Sequence, residues 1–211
     1  MERLHERGYM RLEKWMSRRD AEELLEGCRP VVEGATHIFN SNPEQKEDKK
    51  RVQEKMPKRL SAPLEDRLRL AFPDKKINDF VILKSKAGCQ RQAAHTDYVP
   101  TEEIVDATDE EIPLLFLLAL EEGTRLCVWP RSHRLFRDGL RRAVSCEEVQ
   151  MSVGDAILFR GDLVHAGSSY EKDCIRVHAY IDSPTIKRKP NTTYTIYKHA
   201  NEDVRLKILE A

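Results

Sequence analysis

The chain has 211 residues, 34% of them charged, and its 36 basic and 36 acidic side chains cancel to a formal net charge of zero. That length is enough for one domain with a real core. The balance gives no overall pull toward nucleic acid or an anionic membrane, and with only two tryptophans a nucleic-acid partner is not indicated.

Taken in chain order, residues 1–30 read as helical, with an acidic turn from Asp20 and a glycine stop at Gly27. The N-terminus, with Glu2, Arg3, Glu6 and Arg7, has no apolar stretch of the secretory kind. Residues 41–60 are Lys, Glu, Asp and Gln with almost no apolar periodicity, which predicts a solvated loop or exposed helix; a binding arm is the other reading. A second short helix is expected over 63–70. From residue 80 the texture turns to strands: 80–84, 112–120, 124–129 at hairpin spacing, 149–153, then 156–159 after the Gly154-Asp155 turn, 175–181 and 194–197. Many short strands separated by Gly, Pro and Asp turns, after a helical start, predict a mainly β (α+β) chain with an antiparallel barrel or jelly roll. The expected organisation is a helical and loop region over 1–79 packed on a core over 80–211. The longest apolar run, 112–120, is too short to span a bilayer. The five cysteines are scattered without a CxxC pair, so reduced thiols are expected. A soluble, intracellular, cytoplasmic monomer is the resulting expectation.

Three separated pieces fit one metal site. His95 and Asp97 are two apart, so on a strand both side chains reach the same face. His165 lies in Gly161-Asp162-Leu163-Val164-His165-Ala166-Gly167, among small residues that leave room beside it. Two imidazoles and a carboxylate leave open positions on a metal, as non-heme Fe(II) oxygenases require; they also suit Zn(II) with one open position. Arg176 follows eleven residues after His165 in a strongly β segment. Alternation puts Arg176, His178 and Tyr180 on one face and Ile175, Val177, Ala179 and Ile181 on the other. A buried arginine needs an anionic partner, either a bound dicarboxylate or a structural Asp or Glu.

The combination resembles the 2-oxoglutarate- and Fe(II)-dependent oxygenases, and within them the phytanoyl-CoA dioxygenase-like group. The residues that carry the resemblance are His95-Thr96-Asp97, His165 and Arg176 with its spacing. Gly154-Asp155-Ala156-Ile157-Leu158-Phe159 also matches, as does Trp129-Pro130-Arg131-Ser132-His133, with Arg131 where the family has glycine. It covers roughly residues 80–182. The resemblance implies a double-stranded β-helix (jelly roll, cupin-like) with N-terminal helices, in which His95, Asp97 and His165 hold Fe(II). The co-substrate 2-oxoglutarate would chelate the metal, Arg176 would grip its far carboxylate, and O2 would be consumed with release of succinate and CO2. An intact Asp97, where related halogenases have a small residue, favours hydroxylation or demethylation. Gln92, His178 and Ser168 are candidates for contacts to the co-substrate, and Tyr98 for the substrate mouth. Ser132 and His133 read as turn residues, and Arg137, Arg141 and Arg142 as a solvated basic face. The primary substrate is left open, a small molecule or an exposed side chain being favoured. Two other readings stand beside the oxygenase: a zinc-dependent hydrolase on the same ligands, and a catalytically silent β-barrel binding module.

Overall fold

Alternation of apolar residues with period two runs through the centre of the chain, and two sheets are built on it. The computed structural model describes residues 2–38, 50–139, 142–188 and 193–209. Its first part contains α1 (Glu2–Arg7), β1 (Tyr9–Leu12), α2 (Arg18–Glu33), β2 (His37–Ile38), β3 (Arg51–Lys55), α3 (Lys58–Ala71) and β4 (Lys76–Ser85). Then follow β5 (His95–Thr96), α4 (Glu102–Asp106), β6 (Leu114–Ala119), β7 (Thr124–Val128), β8 (Val144–Ser145), β9 (Glu147–Met151), β10 (Ala156–Arg160) and β11 (His165–Gly167). The chain closes with β12 (Cys174–Asp182), β13 (Tyr194–Thr195), α5 (Ile196–His199), α6 (Glu202–Lys207) and β14 (Ile208–Leu209).

A seven-stranded sheet has the order β1-β10-β6-β12-β4-β3-β2 and faces a five-stranded sheet of order β13-β5-β11-β7-β9; a short parallel pair, β14-β8, stands apart. All pairings within the two large sheets are antiparallel. This is the mainly β jelly roll that the sequence predicts. No helix among the described residues is long and apolar enough to cross a membrane, and all five thiols are free.

Three apolar layers follow from the alternation. On β12, Ile175, Val177, Ala179 and Ile181 face the helices, together with Leu114, Phe116 and Leu118 of β6 and with Leu25, Val32, Leu64 and Leu68 of α2 and α3. Each of the larger side chains, fully buried, contributes roughly 1.5–3 kcal/mol. Leu115, Leu117, Leu126, Val128, Ile157 and Phe159 fill the space between the two sheets. Cys127, Trp129, Val164 and Ala166 on the far face of the smaller sheet pack under Ile196 and Val204 near the C-terminus.

Several expectations need correction. Residues 1–30 are not all helical, because Tyr9–Leu12 pairs with β10 as the edge strand of the larger sheet. Gly27 does not stop α2, which is capped by the Ser17 hydroxyl accepting from Asp20 N–H and runs on through Pro30 to Glu33. The glycine is required by packing instead: a Cβ there would meet Leu60 Cδ2 at 2.8 Å. Within the charged stretch 41–60, residues 41–49 lie outside the described residues, but Arg51–Lys55 is a strand paired with β4. The larger sheet therefore draws on both sides of residue 79. β6 and β7 stand at hairpin spacing yet belong to different sheets, since the turn at Gly123 (φ +78°) carries the chain from one to the other. Tyr194–Thr195 is a strand, but Ile196 starts a helix.

The turn into β10 carries a test. Gly154 has φ +87°, and a Cβ there would lie 2.3 Å from the Met16 carbonyl oxygen. Gly154→Ala is expected to cost at least about 2 kcal/mol of stability, read as a lowered urea midpoint; an unchanged midpoint would show that the Met16 backbone yields freely.

Candidate metal centre

The short strand β5 is hydrogen-bonded between β11 and β13, and the register sets His95 directly opposite His165. The two ring centroids lie 4.5 Å apart. Asp97 follows β5 at once, and its Oδ1 lies 3.6 Å from His95 Nε2 and 3.5 Å from His165 Nε2. One donor atom from each of the three residues falls within 4.8 Å of the others. The folded sheet thus brings together pieces 68 residues apart.

The orientation of these groups is fixed from behind. His95 Nδ1 donates to the Ala93 carbonyl at 2.7 Å and His165 Nδ1 to the Leu163 carbonyl at 3.0 Å. With each proton on Nδ1, both Nε2 lone pairs face Asp97. The second carboxylate oxygen, Oδ2, accepts from the Tyr180 hydroxyl at 3.1 Å, which leaves Oδ1 toward the imidazoles. Burial, and then the neighbouring His165, push the His95 imidazole down from 6.5 to about 4, against the pull of Asp97. Two imidazoles and a carboxylate gathered in one buried spot are a donor set that suits a cation.

The loop before His165 is built to hold it still. Val164 N–H donates to the Ser132 hydroxyl at 2.9 Å, so the Ser132-His133 turn positions the residue next to the imidazole. Arg131 enters that turn with φ 68°, adopting with an ordinary side chain the left-handed conformation that glycine usually supplies. Arg160 and Asp162 pair through two bonds of 2.9 Å inside the protein and fix the turn between β10 and β11.

Beyond the cluster, β12 turns Arg176, His178 and Tyr180 to the interior, as the alternation predicts. Arg176 is 2% exposed and donates to the Ser85 hydroxyl at 3.0 Å. His178 is buried beside Tyr180, ring centroids 4.8 Å apart, and burial lowers it to about 4. Gln92 bridges to β11: its Oε1 accepts from Gly167 N–H at 2.8 Å, and its own N–H donates to the Gly167 carbonyl. Ser168 turns the other way. Strand parity sends its hydroxyl to the far face of the smaller sheet, 3.2 Å from Cys127 Sγ, away from the imidazoles. Tyr98 does not line an open mouth either; it is 3% exposed, lies against Gly161 and donates to Asp182. Arg137 is held by Asp109 and the carbonyls of Ile104 and Ala107 rather than standing on a solvated face, Arg142 is exposed, and Arg141 lies outside the described residues.

Sequence reasoning assigned no role to Tyr180 at Asp97, although it shares the polar face of β12 with Arg176. It missed Arg51 and Ser85 altogether. Arg188, stacked with its guanidinium carbon 3.7 Å from the Tyr180 ring centroid and paired with Asp79 and Asp182, was also unforeseen.

No protein-family model matches the chain, and no curated protein matches it in sequence. Solved structures do match. A non-heme alpha ketoglutarate dependent carbocyclase from nogalamycin biosynthesis, SnoK, aligns with TM-score 0.65 and 17% identity over 86% of this chain and 82% of its own. HygX from Streptomyces hygroscopicus, solved with nickel and 2-oxoglutarate bound, aligns with TM-score 0.61 and 13% identity over 88% and 86%. A prolyl-4-hydroxylase from Pseudomonas putida gives TM-score 0.58 and 15% identity over 86% and 96%. At these identities the likeness establishes the fold.

Two measurements test the centre. Tyr180→Phe frees Asp97 Oδ2 and is expected to weaken Co(II) binding about tenfold or more, read by calorimetry; wild-type affinity would remove Tyr180 from the site. His95, His178 and His133 are each lowered from 6.5 to about 4, burial being the first cause in all three. Between those values the unfolded chain binds more protons than the folded one, so stability falls as pH drops through that window. The metal-free protein is expected to lose on the order of a few kcal/mol between pH 7 and pH 5 in urea titrations. A flat profile would mean that these imidazoles are not held neutral.

Proposed function

We propose that the chain is a non-heme Fe(II)- and 2-oxoglutarate-dependent dioxygenase that hydroxylates, or oxidatively demethylates, its substrate. The observation that carries this reading is the pair of Nε2 lone pairs turned onto Asp97 by the Ala93 and Leu163 carbonyls, on a fold shared with proteins of that chemistry. His95, Asp97 and His165 would hold the metal, because two imidazoles and a carboxylate converge there with the Nδ1 protons of both rings directed away to backbone carbonyls. Fe(II) held there with 2-oxoglutarate and O2 would supply the oxidation of an unactivated C–H bond, with succinate and CO2 as co-products.

The chain's own residues do the rest. Tyr180 keeps the Asp97 carboxylate turned so that one oxygen faces the imidazoles. Arg176, on the same interior face, offers a planar fork for the far carboxylate of the co-substrate. His178 and Gln92 border the same space, and a contact from either to the co-substrate belongs to this proposal. A buried arginine beside the cluster is what a zinc hydrolase reading leaves without a task. Placement in the phytanoyl-CoA dioxygenase-like group is supported by the His165–Arg176 spacing and the Gly154-Asp155 lead into β10. The proposed substrate is a small molecule or an exposed side chain. Structural neighbours include HygX, solved with hygromycin B bound, and a prolyl-4-hydroxylase.

The test is an anaerobic titration of metal-free protein with Fe(II) and 2-oxoglutarate, following the visible charge-transfer band of the chelate. His95→Ala is expected to abolish the band, and Arg176→Ala to raise the co-substrate needed by about a hundredfold. Stoichiometric Fe(II) binding without a band would sink the 2-oxoglutarate assignment; no metal binding would favour a silent binding module.

A further inference from the structure

Arg51 opens β3 in a highly charged stretch of the chain, yet it is 0% exposed. The register explains this. Val52 faces the helices in the first apolar layer, so Arg51 must turn to the other face of the sheet, opposite Ser85 of β4. Ser85 is itself 0% exposed, and its hydroxyl oxygen accepts from Arg51 at 2.9 Å and from Arg176 at 3.0 Å. One small side chain therefore joins two buried guanidiniums. The other end of the Arg51 fork donates to the carbonyls of Ser168 at 2.6 Å, Gln90 at 2.7 Å and Gly167 at 3.3 Å. Gly167 stands two residues past His165, and a Cβ there would meet Gln92 Oε1 at 2.4 Å and Arg51 at 2.9 Å. The Arg51 charge is also felt at His95.

Two consequences follow from this arrangement. Like charges sharing a hydroxyl in the interior repel, and an anion beside Arg176 offsets that repulsion. An arginine whose end nitrogen is already fixed loses less side-chain freedom when its fork closes on a carboxylate. The brace also spans both ends of the site, because Ser85 is tied to Arg176 while Gly167 and Ser168 continue the strand that bears His165.

We propose that Arg51 and Ser85 are positioning residues that hold Arg176 at a set distance from the His95–Asp97–His165 cluster. They thereby select a 2-oxo acid by its far carboxylate and by its five-carbon length. This rests on the function proposed above and adds to it a strand that lies outside the segment resembling the oxygenases.

The experiment uses the Fe(II)-loaded full chain under anaerobic conditions and three ligands: 2-oxoglutarate, 2-oxobutyrate, which lacks the far carboxylate, and 2-oxoadipate, one carbon longer. Ser85→Ala is expected to weaken 2-oxoglutarate binding about tenfold, with 2-oxobutyrate binding and Fe(II) affinity within twofold of wild type. Arg51→Lys keeps the charge but loses the fork, and is expected to narrow the preference for 2-oxoglutarate over 2-oxoadipate. Ser85→Ala with unchanged 2-oxoglutarate affinity overturns the proposal. So does an equal loss for both 2-oxoglutarate and 2-oxobutyrate, which would mean general loosening of the site. An Arg51→Lys protein with the full wild-type preference removes Arg51 from it. Wild-type protein that binds Fe(II) but none of the three acids overturns the reading of the site itself, and the role of the brace falls with it.

Discussion

Two imidazoles can serve one cation only when neither turns its proton toward it, and in this fold that condition is met by backbone, not by side chains. The Ala93 and Leu163 carbonyls each lie two residues before the histidine they orient. Each orienting bond is therefore local to a short segment, and the jelly roll has only to bring the two segments side by side. The direct pairing of His95 with His165 across β5 and β11 does so. Asp97 completes the set because a spacing of two returns its side chain to the same side. The Ser132 turn and the Arg160–Asp162 pair hold the second of these backbone segments in place.

The second organising fact is that one strand serves two opposed environments. The odd-numbered residues of β12 lie against the helices in a wholly apolar layer, and the even-numbered ones line the interior with Arg176, His178 and Tyr180. A buried polar row of this kind is tolerable only if its members are bonded to one another or to a ligand. Tyr180 reaches Asp97, Arg176 reaches Ser85, and His178 is left neutral by its burial. The helices at the back make the strand rigid enough for that precision, since none of the apolar residues facing them can leave without opening a void.

What the sequence made legible was chemistry confined to neighbouring residues, together with alternation. The His95-x-Asp97 spacing, the solitary polar face of β12 and the apolar strands of the centre all carry their meaning in the residue types themselves. What stayed hidden depended on partners distant in sequence. Arg51-Val52-Gln53-Glu54-Lys55 has a single apolar residue, and only its pairing with β4 makes it a strand. β6 and β7 read alike whether they pair or part, because nothing in a turn's spacing says to which sheet the chain returns. Gly27 looked like punctuation, whereas its small size is used by Leu60 of another helix. Ser168, a candidate for the co-substrate, stands three residues past His165, and an odd spacing along an extended segment puts it on the opposite face.

The strand that carries the first imidazole is only two residues long, and one of its two neighbours, β13, comes from near the end of the chain, with Thr195 opposite His95. Ile196 N–H adds a bond to the Ala94 carbonyl. A cation held by His95 would therefore favour docking of this C-terminal segment, and docking would favour the cation by the same factor, to the extent that undocking disturbs β5.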